Sequence, residues 1–228
     1  MYALILAGGK GERLRPLTDT RAKSMAEVKG KPIMWHQLSK LATAGVTDVV
    51  VLCGYKWETI RDYFGDGSKF GMRIHYSKEE TPLGRGGALK QGFRLVPSSE
   101  STVIACNGDV LTTEDLNSMI DAHKNHGAIA TVMLTPYPSA YGVVETDDSS
   151  RITAFREKGD LPLWINAGMY ILETSIAPRL PEIGDHEDST FPELAAEGKL
   201  FSYKTAKFWK AVDNHKDLKE AEENLPTL

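Results

Sequence analysis

Three short stretches of the chain carry residue types suited to phosphate chemistry. The first is Gly8-Gly9-Lys10-Gly11-Glu12-Arg13-Leu14-Arg15-Pro16-Leu17-Thr18, which follows the apolar run ending in Leu6-Ala7. Glycines let backbone N–H groups approach an anion closely, and Lys10, Arg13 and Arg15 add positive charge. The glycines alone suit an ordinary tight turn equally well; the basic residues favour a phosphate cradle. No Gly-Lys-Ser/Thr closes the stretch, so it is not a Walker A loop, and Leu14 stands where a dinucleotide fingerprint has its third glycine. The next strand ends in Cys53-Gly54-Tyr55 without an acid for a ribose hydroxyl, which disfavours nicotinamide binding.

The second stretch is Pro82-Leu83-Gly84-Arg85-Gly86-Gly87-Ala88-Leu89, and the third is Asn107-Gly108-Asp109. Asp109 falls just beyond the carboxyl end of a predicted central strand, where open α/β sheets bind ligands. A hard cation such as Mg²⁺ takes carboxylate and phosphate oxygens and needs no histidine cluster. Taken alone, the second stretch reads as a glycine-rich helix entry and the third as a turn. The six histidines offer nothing comparable: His123 and His126 share a helix face but lack a third ligand, which predicts a solvated face. Asp185-His186-Glu187-Asp188 reads as an exposed acidic loop, and Cys53 and Cys106 as small core residues.

The elements that must position these residues alternate in the manner of βαβ units. Strands are predicted over 3–6, 48–52, 73–76, 102–105 and 129–134. Helices are predicted over 34–44, stopping at Gly45, over 58–64, stopping at Gly65, and over 86–95 and 115–126. After Pro138 the rhythm shortens to strands over 142–146, 152–156 and 166–172, a small mixed β lobe. Helices over 191–197 and 215–224 flank a strand over 200–204. The expected fold is α/β, a doubly wound, mostly parallel, Rossmann-like sheet with that lobe beside it. It forms one domain over 1–228, with a first half to residue 135 and a second from 136.

A chain of 228 residues can bury a full core. With 27 Lys+Arg against 31 Asp+Glu its net charge is −4, so no bulk charge favours nucleic acid or an acidic membrane. No basic leader or apolar stretch approaching ~20 residues stands out, and a cytoplasmic protein is expected. Nothing in the sequence decides against a homo-oligomer.

Together the motifs resemble the sugar-1-phosphate nucleotidyltransferases, or NDP-sugar pyrophosphorylases, especially their short guanylyl- and uridylyltransferase members. The first loop resembles the family's opening signature, which continues to a lysine within Pro-Lys-Pro; here the run is Ala22-Lys23-Ser24, which keeps the lysine and implies a less rigid loop. The second stretch resembles Leu-Gly-Thr-Gly-Gly-Ala-Leu, with Arg85 in place of a small residue, and implies a helix lying against the nucleobase. The resemblance extends to Tyr141-Gly142-Val143-Val144-Glu145, Phe155-Arg156-Glu157-Lys158 and Ile165-Asn166-Ala167-Gly168-Met169-Tyr170.

What the resemblance implies is transfer of a nucleoside monophosphate from a nucleoside triphosphate to a sugar 1-phosphate, releasing pyrophosphate, with Mg²⁺ as cofactor and no enzyme nucleophile. Leu6, Ala7, Gly8, Gly9, Lys10, Gly11, Gly54, Pro82, Gly84, Gly86, Gly87, Asn107 and Gly108 would hold the nucleotide. Arg13 and Lys23 would stabilise the departing pyrophosphate, and Asp109 would hold the metal. Tyr141, Gly142, Glu145, Glu157 and Asn166 would meet the sugar, with Lys158 on its phosphate. Many relatives place a second metal-binding aspartate two residues after a tryptophan. Here that position is Ala211, and Asp213 is the nearest acid. Asp213 is expected as the second ligand, against the competing role of capping the last helix.

The sequence leaves base and sugar open, with a lean to GTP and a mannose- or heptose-type 1-phosphate over UTP and a hexosamine 1-phosphate. Two other readings compete: a cytidylyltransferase for a small non-sugar phosphate, and a nucleotide-sugar sensor without catalysis. An end at Leu228 leads us to expect no second, β-helical activity.

Overall fold

The computed structural model describes residues 1–139, 141–157 and 159–226, with the side chain of Asp160 left out. In chain order its strands are β1 (Tyr2–Ala7), β2 (Glu27–Val28), β3 (Lys31–Pro32), β4 (Asp48–Cys53), β5 (Arg73–Lys78), β6 (Thr102–Asn107), β7 (Val110–Thr112), β8 (Ala130–Pro138), β9 (Val143–Thr146), β10 (Ile152–Arg156), β11 (Asp160–Glu173), β12 (Leu200–Lys204) and β13 (Trp209–Ala211). The helices are α1 (Ile33–Thr43), α2 (Trp57–Phe64), α3 (Gly84–Phe93), α4 (Leu116–His126), α5 (Thr190–Ala196) and α6 (His215–Asn224).

Seven strands make the main sheet in the order β12-β8-β11-β6-β1-β4-β5. All neighbours run parallel except β11, which is antiparallel to both β6 and β8. β4, Asp-Val-Val-Val-Leu-Cys, is buried at every residue, as a parallel strand covered on both faces must be. Alternate residues of β1 serve different cores. Ala3, Ile5 and Ala7 pack with α1, α2 and α4 through Leu38, Phe64 and Ile120, whereas Leu4 packs with α3 and α5 through Leu89 and Leu194. Each fully buried leucine or isoleucine there contributes about 1.5–3 kcal/mol. The doubly wound expectation therefore holds. α1 and α2 stop where expected, at Gly45 and Gly65, both with positive φ.

Three features depart from the sequence reading. The strand expected over 166–172 spans Asp160–Glu173, and its second half is not lobe at all: Met169 to Glu173 pair with β6 in the main sheet. His123 is buried rather than solvated, its ring between Thr131 Oγ1 at 2.8 Å and Glu173 Oε1 at 3.1 Å. The 185–188 stretch is partly inside, with His186 fully buried against Tyr170 and Phe191. Asp213, expected as a metal ligand with helix capping as its competing role, is not the cap of α6; Asn214 is, in a reciprocal capping box with Asp217.

Candidate active site

β1 delivers the first glycine loop at its carboxyl end, between its neighbours β4 and β6. Gly54 at the end of β4 and Gly108 beyond β6 close in on the loop from both sides. An added Cβ at Gly54 would lie 3.1 Å from Gly8 O, and one at Gly108 only 2.6 Å from Leu6 O. Gly11 has φ 62° and its carbonyl accepts from Leu14 N and Thr18 Oγ1, both at 2.9 Å. A β-carbon there would press on Lys23 and Thr18 at 3.0 Å. Only glycine fits this turn, and its geometry brings Lys23 beside the loop.

A cleft of about 650 Å³ opens here, lined by the loop from Leu6 to Arg13, by Lys23 and Ser24, by Glu79, Pro82, Gly84, Arg85 and Ala88, and by Asn107, Gly108, Asp109, Asp185 and Asp213. At one end Lys23 Nζ lies 2.5 Å from Asp109 Oδ2 and 2.6 Å from Asp213 Oδ1, and Arg13 Nη2 lies 2.9 Å from the same Asp213 oxygen. Burial works against the Lys23 charge, but the two carboxylates outweigh it and raise its pKa above the ordinary lysine value. Burial likewise opposes the Asp213 charge, while Lys23 and Arg13 pull its pKa below the usual carboxylate range.

This convergence depends on a short ladder that the sequence did not reveal. β13 pairs antiparallel with β7, and Val212 N donates to Asp109 O at 2.9 Å, which draws the two aspartates together. Lys23 is also better anchored than the loss of both prolines implied. Ala22 keeps a proline-like φ of −63° and ψ of 151°, and its N–H, which proline lacks, donates to Thr59 Oγ1 at 3.1 Å.

Most of the expected nucleotide residues line the cleft, but Gly54, Gly86 and Gly87 do not, and neither does Arg15, one of the loop's basic residues. Arg15 turns to Asp19 at 3.3 Å. Gly86 and Gly87 donate their N–H groups to Gly184 O at 2.9 and 3.2 Å, so the α3 amino end receives a protein segment. The acceptor-side residues lie beyond the cleft lining. Tyr141 is exposed, Glu145 is ion-paired with Arg156, and Glu157 and Phe155 both stand beside Gly142. The Asn166 amide faces Tyr170 and Glu187. Lys158 lies outside the described residues.

Sequence reasoning missed Glu79, Asp185 and Glu187. Glu79 sits against Gly8 and accepts from Leu83 N at 3.0 Å. The two acids of the 181–188 loop carried no signal beyond their charge, which looked like solvated surface. No thiol is activated: burial pushes both Cys53 and Cys106 up to about 12. Among the described residues no cluster of three or more His, Cys, Asp or Glu forms a complete metal site, so a cation held by Asp109 and Asp213 would need oxygens from substrate or water.

The sequence profile of the nucleotidyl transferase family matches residues 2–227. The mannose-1-phosphate guanylyltransferase of Mycobacterium tuberculosis is 38% identical over 223 residues, which cover 94% of this chain and 62% of that protein. The mannose-1-phosphate guanyltransferase of Hypocrea jecorina is 36% identical over 228 residues, which cover 95% of this chain and 62% of that protein. The chain thus spans about three fifths of the length of these curated relatives. The crystal structure of HddC from Yersinia pseudotuberculosis matches with a TM-score of 0.78 at 24% identity, covering 99% of both chains. A crystal structure of the same protein complexed with GMP-PN matches with a TM-score of 0.74 at 22% identity.

Proposed function

Since this chain belongs to the nucleotidyl transferase family, we propose that it transfers a nucleoside monophosphate from a triphosphate to a sugar 1-phosphate and releases pyrophosphate. The observation that carries the reading is the meeting of Lys23, Arg13, Asp109 and Asp213 at the mouth of the glycine loop. Residues 1–135 form the nucleotide half and 136–228 the acceptor half. The triphosphate lies along Gly8 to Gly11, with Lys10 and Arg13 on its outer oxygens. Lys23 neutralises charge on the departing pyrophosphate. The acceptor phosphate, oriented by Lys158, attacks the α-phosphorus in line as the bond from that phosphorus to the departing pyrophosphate breaks, and catalysis lies in positioning the two anions together.

Asp109 and Asp213 fit a hard divalent cation. Both carboxylates are partly exposed, they converge on one point, and that point already holds a positive charge, the Lys23 ammonium. We assign Mg²⁺ to this pair. When bound, it supplies Lewis-acid neutralisation of the phosphoryl oxygens.

GTP is the favoured nucleotide and a mannose-type 1-phosphate the favoured acceptor, supported by the names of the relatives and by Glu79. Guanine presents two adjacent N–H donors on one edge, and a carboxylate accepts such a pair. Consumption of a nucleoside triphosphate suits the cytoplasm, and among the described residues no helix is long and apolar enough to cross a membrane. The test is pyrophosphate release across nucleoside triphosphates and sugar 1-phosphates. Release should require Mg²⁺ and both substrates and be fastest with GTP and mannose 1-phosphate; comparable release from the triphosphate and water alone would sink the two-substrate reading.

A further inference from the structure

Arg85 lines the nucleotide cleft, yet its guanidinium is already committed. Nε and Nη2 donate to Asp185 Oδ2 at 3.2 and 2.7 Å, and Nη1 lies 2.6 Å from Glu187 Oε2. One positive charge between two carboxylates leaves a locally negative group, which repels a polyphosphate. A guanidinium whose Nε–Nη2 edge is spent on Asp185 and whose Nη1 sits at Glu187 has little left for a bidentate grip on a phosphate.

What this arginine holds leads out of the nucleotide half. Glu187 Oε1 accepts from Asn166 Nδ2 at 2.7 Å and from Tyr170 Oη at 3.0 Å, while Asn166 Nδ2 also donates to Tyr170 Oη at 3.0 Å. Burial and the neighbouring Glu187 raise the Tyr170 pKa, so the phenol keeps its proton and stays a donor. Asn166 Oδ1 in turn accepts from Gly168 N at 2.8 Å, so the amide is fixed at both ends. The loop that carries Asp185 and Glu187 is seated on α3. Arg85 N donates to Asp185 Oδ1 at 2.7 Å, and an added Cβ at Gly84, Gly86 or Gly87 would approach the backbone of residues 182–186 to between 2.5 and 2.8 Å. The second glycine motif thus reads as the seat of an acceptor-half segment.

We propose that Arg85 is a positioning residue for the phosphosugar: through Glu187 it sets the Asn166 amide on the acceptor side, and it takes no part in holding the nucleotide. This rests on the nucleotidyltransferase reading above. Three variants test it, R85T, R85K and E187Q, with GTP binding followed by calorimetry and steady-state turnover followed with mannose 1-phosphate. R85T should raise KM for the sugar phosphate roughly 10-fold or more and leave the GTP Kd within about twofold, on the scale of one lost charged hydrogen bond. R85K, which keeps the charge without the fork, should recover part of the loss. E187Q should reproduce the defect, and the double variant R85T/E187Q should be no worse than either single one, as expected of two links in one chain.

Equal weakening of GTP and sugar phosphate, or additive effects in the double variant, would overturn the assignment, as would wild-type behaviour of R85T. If R85T does not fold, R85K and E187Q decide by the same KM and Kd comparison. Wild-type protein inactive with every substrate pair overturns the nucleotidyltransferase reading and this inference with it, whereas an active wild type with unaltered variants overturns the inference alone.

Discussion

Asp109 and Asp213, one on each side of the β7–β13 ladder, point their carboxylates at the same atom, Lys23 Nζ, at 2.5 and 2.6 Å. Asp213 makes this contact from the residue just before the cap of α6, and Asn214 and Asp217 do the capping.

That separation of roles fixes the outcome for Asp213→Ala. With the capping box intact the protein should unfold within about 1 kcal/mol of wild type. Turnover should fall roughly 10²-fold or more, because a preorganised charge at the reacting phosphates is lost. Raising Mg²⁺ should restore part of it, through Asp109 and the substrate oxygens. Denaturant melts and a Mg²⁺ titration of turnover check this; unchanged Mg²⁺ dependence would remove Asp213 from the metal site.

Lys23→Ala should lower turnover by a similar factor, roughly 10²-fold, in a protein whose circular dichroism matches wild type. The variant should also bind Mn²⁺ more tightly than wild type when no nucleotide is present, since the ammonium between the two carboxylates no longer competes with the ion. Electron paramagnetic resonance of free Mn²⁺ reads this without turnover.

His186 is fully buried, neither ring nitrogen has a hydrogen-bond partner among the described residues, and burial lowers its pKa to about 4. In the unfolded chain the ring titrates near the ordinary value of about 6.5. A folded-state value below the unfolded one means full stability above about pH 6.5, lost progressively as the pH falls toward 4, because the unfolded state takes the proton first. About 2 kcal/mol should go between pH 7 and pH 5. His186→Phe should flatten that part of the urea-unfolding profile; an unchanged slope would place the proton elsewhere.

Gly87 faces the 181–188 loop so closely that a Cβ would stand 2.5 Å from Glu182 O. Gly87→Ala should therefore destabilise the protein by about 1–3 kcal/mol as the backbone shifts. Gly9→Ala, where nothing lies within 4 Å, is the control for thermal melts, with no comparable loss.

The sheet was legible because its strands are self-announcing: β4 and β6 are apolar runs bounded by turn residues, and α1 and α2 end at glycines. The first glycine loop and Asp109 could be picked out because each follows the carboxyl end of such a strand, whereas Lys23 was named only through the family resemblance. The β7–β13 pairing was not, because three-residue strands carry too little periodicity and depend on a partner far along the chain. For the same reason Asp213 could be named from the sequence, while its meeting with Asp109 could not be derived. Asp185 and Glu187 were hidden for another reason. A run of acids looks like water-facing surface until a compensating cation is placed beside it, and Arg85 lies a hundred residues upstream at Asp185. His123 misled because one of its partners, the partly exposed Glu173, lies fifty residues away in sequence.

The antiparallel strand β11 closes the sheet onto β6 through five residue pairs, from Met169 to Glu173. Until residue 173 has left the ribosome, β6 presents a bare edge, and a strand edge of that kind invites pairing with other chains. The two aspartates meet later still, once Asp213 has emerged and β13 has found β7. During synthesis the nascent protein therefore passes through a stage in which most of its core is complete while the Asp109–Asp213 pair is not, and a chain halted before residue 213 would carry the glycine loop without that pair.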